Sequence, residues 1–281
     1  MRYRRPGLDL LSHALLLLSI AMFLFPVWMA LTAATHTRAE LYTSIAPLWF
    51  GGEGIDNFIA VLRDPVGRLG VSVSQLLFNS LVMALGIAVG KIVIAILAAY
   101  AVVFFRFRGR MLCFWAIFVT LMLPVEVRIM PTYQVVSDLG LLNSYAGLIL
   151  PLIASATATF LFRQFYLTVP PELLEAARVD GAGPWKFLCD ILLPLSKTNI
   201  AALFVIMFLY GWNQYLWPLM ITTDTAYTTA VVSLKQMATG GDNLVPWQTV
   251  MATALLALLP PVAVIVTMQR YFVKGLVDSE K

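Results

Sequence analysis

Residues 76–105 read LLFNSLVMALGIAVGKIVIAILAAYAVVFF, a run in which Lys91 is the only charged side chain. An α-helix rises about 1.5 Å per residue and a bilayer's hydrocarbon core is about 30 Å thick, so about 20 apolar residues are enough to cross it. The run exceeds that length, and as a soluble helix it would have no face to offer to water. Five further stretches on either side meet the same test. Together they predict six transmembrane helices at about residues 12–34, 76–105, 111–131, 143–163, 198–221 and 246–270. Within them, away from the ends, the charged side chains are Lys91, Glu126 and Arg128. The fold class is therefore an all-α integral membrane protein.

Composition agrees. Of 281 residues, 60% are hydrophobic and 12% charged, against about 25% charged in soluble domains. The mean hydropathy is +0.84. No internal repeat of 20–50 residues and no low-complexity segment stands out. The first run follows Arg2, Arg4 and Arg5, as a secretory signal would. Its uncharged region, Ala14–Ala34, is longer than the about 7–15 residues of a cleavable signal, so a retained first helix is expected.

The net charge of +4 and a pI near 9.1 do not point to nucleic acid, because the basic residues gather at the ends of the apolar runs. One side of the membrane collects thirteen of them: Arg2, Arg4, Arg5, Arg106, Arg108, Arg110, Arg163, Arg178, Lys186, Lys197, Arg270, Lys274 and Lys281. The other side has four, Arg38, Arg63, Arg68 and Lys235. Basic residues favour the cytoplasmic side, which predicts both termini in the cytoplasm. Trp28, Trp217 and Trp247 then fall near outer span ends and Trp115 near an inner one, where amphipathic rings settle.

Catalytic chemistry is thin. Cys113 and Cys189 stand alone, in neither a CxxC nor a zinc-site spacing. His13 and His36 are the only histidines, and Gly90-Lys91 is followed by Ile92 where a P-loop needs Ser or Thr. The chain is expected to be no enzyme, to bind no cofactor or metal of its own, and to have no means of splitting ATP.

The orientation makes residues 35–75 the longest outer loop and places a loop at about 166–196 inside. The inner loop contains Pro170-Pro171-Glu172-Leu173-Leu174-Glu175-Ala176-Ala177-Arg178-Val179-Asp180-Gly181. Proline pre-sets the backbone at a helix start, and Glu172 suits the positive end of that helix. Glu175 and Arg178 are spaced to pair on the exposed side. Gly181 can adopt the positive φ that ends a helix. Pro184 then starts a second short helix, from Trp185 to about Asp190, leading to Pro194. Local physics alone leaves two readings open: a docking element with a small-residue face at Ala176-Ala177, or an amphipathic helix lying on the bilayer.

The pattern Glu175-Ala176-Ala177, Gly181, Ile191, Leu193-Pro194 resembles the EAA loop of ABC-importer permeases. The six-span architecture is similar to the second permease subunit of maltose-type carbohydrate importers, which have the type I importer permease fold. The stretches 123–129, 154–164, 211–218 and 275–281 are similar to permeases of sn-glycerol-3-phosphate importers. The resemblance implies a non-catalytic permease in a bacterial inner (plasma) membrane. It implies a heterodimer with a second permease subunit and two ATPase subunits that hold ATP and Mg. A periplasmic or extracellular substrate-binding protein would deliver the solute, a glycerol phosphate, a glycerophosphodiester or another sugar or oligosaccharide. On this resemblance Glu175 would face the ATPase, Ala176 and Ala177 would permit tight docking, and Gly181 would make the turn. Ile191, Leu193 and Pro194 would pack the second helix on the membrane domain. The tail Asp278–Lys281 would be a further ATPase contact.

Polar groups within the spans keep two readings each. Lys91 follows Gly86-x-x-x-Gly90, a spacing that permits close helix contact. It either meets an anionic substrate or pairs with a carboxylate or carbonyls. Glu126 and Arg128 lie between Pro124 and Pro131, in what reads as broken helix. Arg128 can contact a phosphate in bidentate fashion, or join an internal network that fixes the break. Tyr210, Asn213 and Gln214, with Asn199 and Tyr215, can line a path for a polar solute or bond between helices. Adjacent Asn213 and Gln214 would point about 100° apart on a helix. Ser155, Thr157 and Thr159 read as small interface residues. Two rivals remain. A secondary carrier should show repeats and coupling carboxylates, of which Glu126 is the sole candidate. A membrane enzyme should show a nucleophile, base or metal constellation.

Overall fold

The computed structural model describes residues 6–43, 47–66, 70–120, 125–239 and 245–278. Among these the chain is helical and contains no strand. Three helices are each long and apolar enough to cross a membrane: α1 (Pro6–Ala33), α4 (Val73–Phe104) and the last helix, α13 (Trp247–Asp278). Between α1 and α4 lie two short helices, α2 (Arg38–Thr43) and α3 (Gly54–Arg63). Two apolar helix pairs are bent. The first joins α7 (Tyr145–Ile149), continued by a 3₁₀ turn to Leu152, to α8 (Ala156–Leu167) at 49°. The second joins α10 (Pro184–Leu195) to α11 (Lys197–Trp212) at 74°.

Three of the six expected spans differ from their prediction, and the fourth, expected at 143–163, is the bent pair α7–α8. Over the third, expected at 111–131, the described helices are α5 (Arg110–Val119) and α6 (Val125–Asp138). Pro131 lies inside α6, so the segment after Pro124 is not broken helix. Proline within a membrane helix is tolerated where local groups re-satisfy the backbone, and the next residue, Thr132, donates its hydroxyl to the Arg128 carbonyl at 2.7 Å. The fifth, expected at 198–221, ends as a helix at Trp212 and resumes as α12 (Leu216–Ile221). Asn213 caps the first piece, its N–H bonded to the Leu209 carbonyl. Pro218 falls in the first turn of the second, where a missing N–H costs nothing.

The chain forms two compact units. One contains residues up to Leu76 together with Ser233–Leu259. In it α1 presents an apolar, exposed surface, with Phe23 80% exposed, as a lipid-facing helix does. Its end is strapped by side chains. Trp28 donates to the Leu48 carbonyl, Thr32 to that of Pro47, and Asn57 to those of Ala34 and His36. Gly51 packs on the Thr35 carbonyl so closely that a Cβ there would collide with it. The Tyr42 hydroxyl donates to the Val245 carbonyl at 2.7 Å.

The other unit comprises Leu77–Val232 and the segment from Pro260. Here α4 is the spine. Ala84, Ala88, Ala95 and Ala99 recur at helical spacing and are fully buried, letting Phe162, Phe187, Leu188, Leu192 and Phe208 approach its backbone. The glycines lie against a second neighbour. A Cβ on Gly86 would sit 2.6 Å from Ile149 Cδ1, and one on Gly90 would sit 2.5 Å from Ile153 Cγ2. The GxxxG spacing thus brings α4 against the α7 turn. Polar stitches complete the packing. The Asn79 amide donates to the Ala226 and Thr228 carbonyls and accepts from the Tyr145 hydroxyl. Asn143, at φ 52°, accepts from the N–H groups of Thr223 and Asp224.

Candidate functional site: the coupling loop and the charged span residues

The loop at 166–196 folds as a short helix, a tight turn and a second helix. The first, α9, spans Pro171–Val179, with prolines at its start and Glu172 in its first turn. Gly181 ends it at φ +72°. The Gly181 N–H bonds to the Arg178 carbonyl at 3.1 Å and the Ala182 N–H to the Ala177 carbonyl at 2.8 Å. These two bonds satisfy carbonyls that a helix end leaves orphaned. A Cβ on Gly181 would meet nothing within 4 Å, so the glycine is required by the backbone angle and not by crowding.

The second helix is longer than expected. It starts at Pro184 and continues to Leu195, where the spacing suggested an end near Asp190. Pro194 has no N–H for the carbonyl four residues back. A π turn over Leu188–Leu192 widens the helix just before it, the usual adjustment when one bond is displaced. The helix is tied to α4 by the Tyr100 hydroxyl, which donates to the Pro184 carbonyl at 2.7 Å. At its end the buried Ser196 donates both its N–H and its hydroxyl to the Leu192 carbonyl.

The two alanines of the motif part company. Ala177 is buried in the core cluster, while Ala176 is exposed, as are Glu175 and Gly181. Ile191 and Leu193 pack half-buried on that cluster and Pro194 is exposed. Sequence reasoning did not single out the apolar residues that this turn leaves in the open. Val179 is 88% exposed and Trp185 68%. Their signal was present in two large apolar side chains flanking a turn among charges. A cavity of about 810 Å³ lies behind α9, bordered by Glu175, Arg178, Arg106 and Arg110, with Tyr100 and Tyr166 among its walls. Arg163, one turn before the loop, stacks its guanidinium 4.3 Å from the centre of the Phe114 ring.

The charged span residues form a second group. Lys91 is 6% exposed, and its Nζ sits 3.5 Å from the centre of the Tyr210 ring. Such a cation–π contact is worth about 2 kcal/mol when desolvated. The partner is an aromatic face, neither the carboxylate nor the carbonyls that the structural reading of Lys91 offered. Arg128 is exposed. The Gln214 amide donates to the Tyr210 carbonyl at 3.2 Å. Asn213 turns back on its own helix, donating to the Leu209 carbonyl. The break after Trp212 therefore replaces the expected helical divergence of Asn213 and Gln214. Ser155 caps α8 through its hydroxyl, and Thr159 is buried and bonds back to the Ser155 carbonyl. The Glu126 side chain, Pro124 and residues 279–281 of the tail lie outside the described residues. No group of three or more metal-ligating side chains occurs among the described residues.

A short helix closed on a left-handed glycine stands in a chain of apolar helices, and the chain matches a known family. The model of the binding-protein-dependent transport system inner membrane component fits residues 91–278. The chain belongs to this family. It is thus a transport permease and a multi-pass membrane protein. It is 56% identical over 279 residues, 99% of both chains, to the sn-glycerol-3-phosphate transport system permease protein UgpE of Rhizobium meliloti. It is 54% identical over 277 residues, again 99% of both, to the protein of that name from Escherichia coli. The permease also shares its fold with a chain in the crystal structure of a bacterial ABC transporter involved in the import of the acidic polysaccharide alginate. There the TM-score is 0.83 at 20% identity, covering 97% of this chain and 99% of that one. A second match has a TM-score of 0.60 at 16% identity and covers 93% of both chains. It comes from the alginate transporter in complex with an alginate pentasaccharide-bound periplasmic protein.

Proposed function

We propose that this permease is one membrane-spanning subunit of an ATP-driven importer of sn-glycerol-3-phosphate. The observation that carries the substrate is end-to-end likeness, 56% over 279 residues, to a permease of an sn-glycerol-3-phosphate transport system. In this reading six spans place both termini in the cytoplasm, the third formed by α5 and α6 and the fifth by α11 and α12. A second permease completes the pathway, two ATPase subunits supply ATP and Mg, and a binding protein delivers the solute from outside.

The loop geometry supports a mechanical role. Glu175, Ala176, Val179 and Trp185 are exposed together around α9, an arrangement suited to a cleft in an ATPase. Ala177, Ile191 and Leu193 hold the same element to the core built on α4. A push on α9 therefore reaches the spans through packed side chains, and the ATPase cycle can switch the pathway between its outward and inward openings. Gly181 keeps the two helices at a fixed angle during that push.

Purification of the tagged chain from native membranes in mild detergent tests the assembly. A second permease and an ATPase should come with it. A chain that purifies alone, under conditions that keep a known importer intact, would remove the coupling role and return attention to a stand-alone carrier.

A further inference from the structure

Arginines from two separate elements border the cavity of about 810 Å³ behind α9. Arg106 follows the last turn of α4, and Arg110 opens α5 after a turn in which its N–H bonds to the Phe107 carbonyl at 3.5 Å. Arg178 comes from α9, and Glu175 is the one carboxylate among the bordering residues. Three cations against one anion leave the cavity net positive, and like charges at one site repel unless an anion lies among them. Arg108, between the first two arginines, does not border it. Basic charge that only orients the spans needs no such selection, since any position in the loop serves it equally. Other walls are apolar. Phe105 and Leu167 are 41% and 54% exposed, while Phe187 is buried. The Tyr100 hydroxyl, donating to the Pro184 carbonyl, fixes the wall between α4 and α10. With 32 residues α4 is about 48 Å long, against about 40–45 Å for a bilayer including its headgroups. Its end, and the cavity beside it, therefore lie at headgroup level.

We propose that this cavity holds the headgroup of an anionic phospholipid, whose phosphate ties Arg178 of α9 to Arg106 and Arg110 at the α4–α5 connection. Arginine's planar fork suits phosphate oxygens, and forks from two elements can share one phosphodiester. Basic pockets between membrane helices on the cytoplasmic side take such headgroups. The volume falls within the about 300–1,000 Å³ of small-molecule sites, more than a lone phosphate fills. Phe105 and Leu167 are placed to meet the first acyl carbons, from which a soluble phosphate would gain nothing. An ATPase would reach α9 from the side where Val179 and Trp185 are exposed. The bound lipid turns repulsion between α9 and the α4–α5 connection into attraction and steadies the coupling helix. The inference rests on the proposed cytoplasmic placement of α9.

The test uses the complete transporter with its ATPase docked, purified in mild detergent and titrated with phosphatidylglycerol or phosphatidylcholine under native mass spectrometry. Phosphatidylglycerol should bind about tenfold or more tightly than phosphatidylcholine. Arg106→Gln and Arg178→Gln should each weaken phosphatidylglycerol by about tenfold, the loss expected when a charged hydrogen bond is removed. Arg108→Gln removes the same charge from the same segment outside the cavity and should bind as wild type does. Arg106 and Arg178 are exposed, and where one variant fails to assemble the other decides. Equal loss in Arg108→Gln, or no preference for phosphatidylglycerol, overturns the site in favour of diffuse surface charge. Displacement of the lipid by inorganic phosphate or sn-glycerol-3-phosphate would assign the cavity to a soluble anion and overturn the headgroup. Binding that appears only once the ATPase is stripped away would give the arginines to the ATPase and overturn it too. Lipid binding in detergent is blind to sidedness, so labelling of Val179→Cys by an impermeant maleimide in intact cells would overturn only the placement of α9 beneath it.

Discussion

Gly181 and Gly90 are two glycines with different reasons to be glycine. Gly181 has open space around its missing side chain and a φ of +72°. A left-handed backbone costs an ordinary residue about 1–2 kcal/mol, and a β-branched one resists it most. Gly181→Val should therefore reopen the turn between α9 and α10 without disturbing the core. Solute moved per ATP hydrolysed by the reconstituted transporter should fall severalfold; unchanged stoichiometry would deny the turn its role. Gly90 has the opposite problem. Valine there would place its Cβ 2.5 Å from Ile153 Cγ2, and overpacking of this kind costs about 1–3 kcal/mol. The thermal unfolding midpoint in detergent should drop for Gly90→Val and stay put for Gly52→Ala, whose new methyl would have nothing within 4 Å.

The α9–α10 loop shows how far local signals reach. Its start, its stop and its turn are all written in neighbouring residues: Pro170-Pro171, Glu172, Gly181 and Pro184. Each acts through its own backbone chemistry, so the element could be read from sequence alone. The length of α10 could not, because a π turn and the packing of Leu188 and Leu192 carry the helix past Asp190. Which alanine faces inward was equally hidden, since one residue's difference on a helix is decided by the surface it meets. The break in the fifth span did leave a trace. Pro218 favours the first turn of a new helix, but an unbroken apolar run concealed it. Lys91 and Tyr210 are far apart in sequence, and only the packing of α4 on α11 brings them together. At this scale the exposed apolar pair predicts the docking surface. Val179→Asp would put a carboxylate into the proposed ATPase cleft, and a desolvated unpaired charge costs several kcal/mol. The fraction of ATPase retained on the tagged permease should drop by about tenfold or more, a shift of about 1.4 kcal/mol in binding. Full retention would place the docking surface elsewhere.

For the whole molecule, the distribution of basic residues and the order of the apolar helices set the expected sidedness. With Cys113 and Cys189 replaced by Ser, single cysteines at Ile55 and Val179 offer two exposed reporters, 77% and 88% exposed. A membrane-impermeant maleimide should label Ile55→Cys in intact cells and Val179→Cys only after the membrane is opened. The reverse pattern would invert the topology and put α9 out of an ATPase's reach. The fold class was plain from composition and run length, because hydrocarbon imposes a strong, uniform demand on every residue that faces it. The path through the molecule was not, because a solute route is made by several helices together and, in the proposed assembly, by a second permease. The decisive measurement is uptake of labelled sn-glycerol-3-phosphate into vesicles holding the full complex, with ATP on the α9 side and binding protein on the other. Accumulation against a gradient that needs both, and that collapses in Gly181→Val while ATP hydrolysis continues, is the predicted result. Transport that proceeds without ATP, or ATP-driven import that ignores sn-glycerol-3-phosphate, would contradict it.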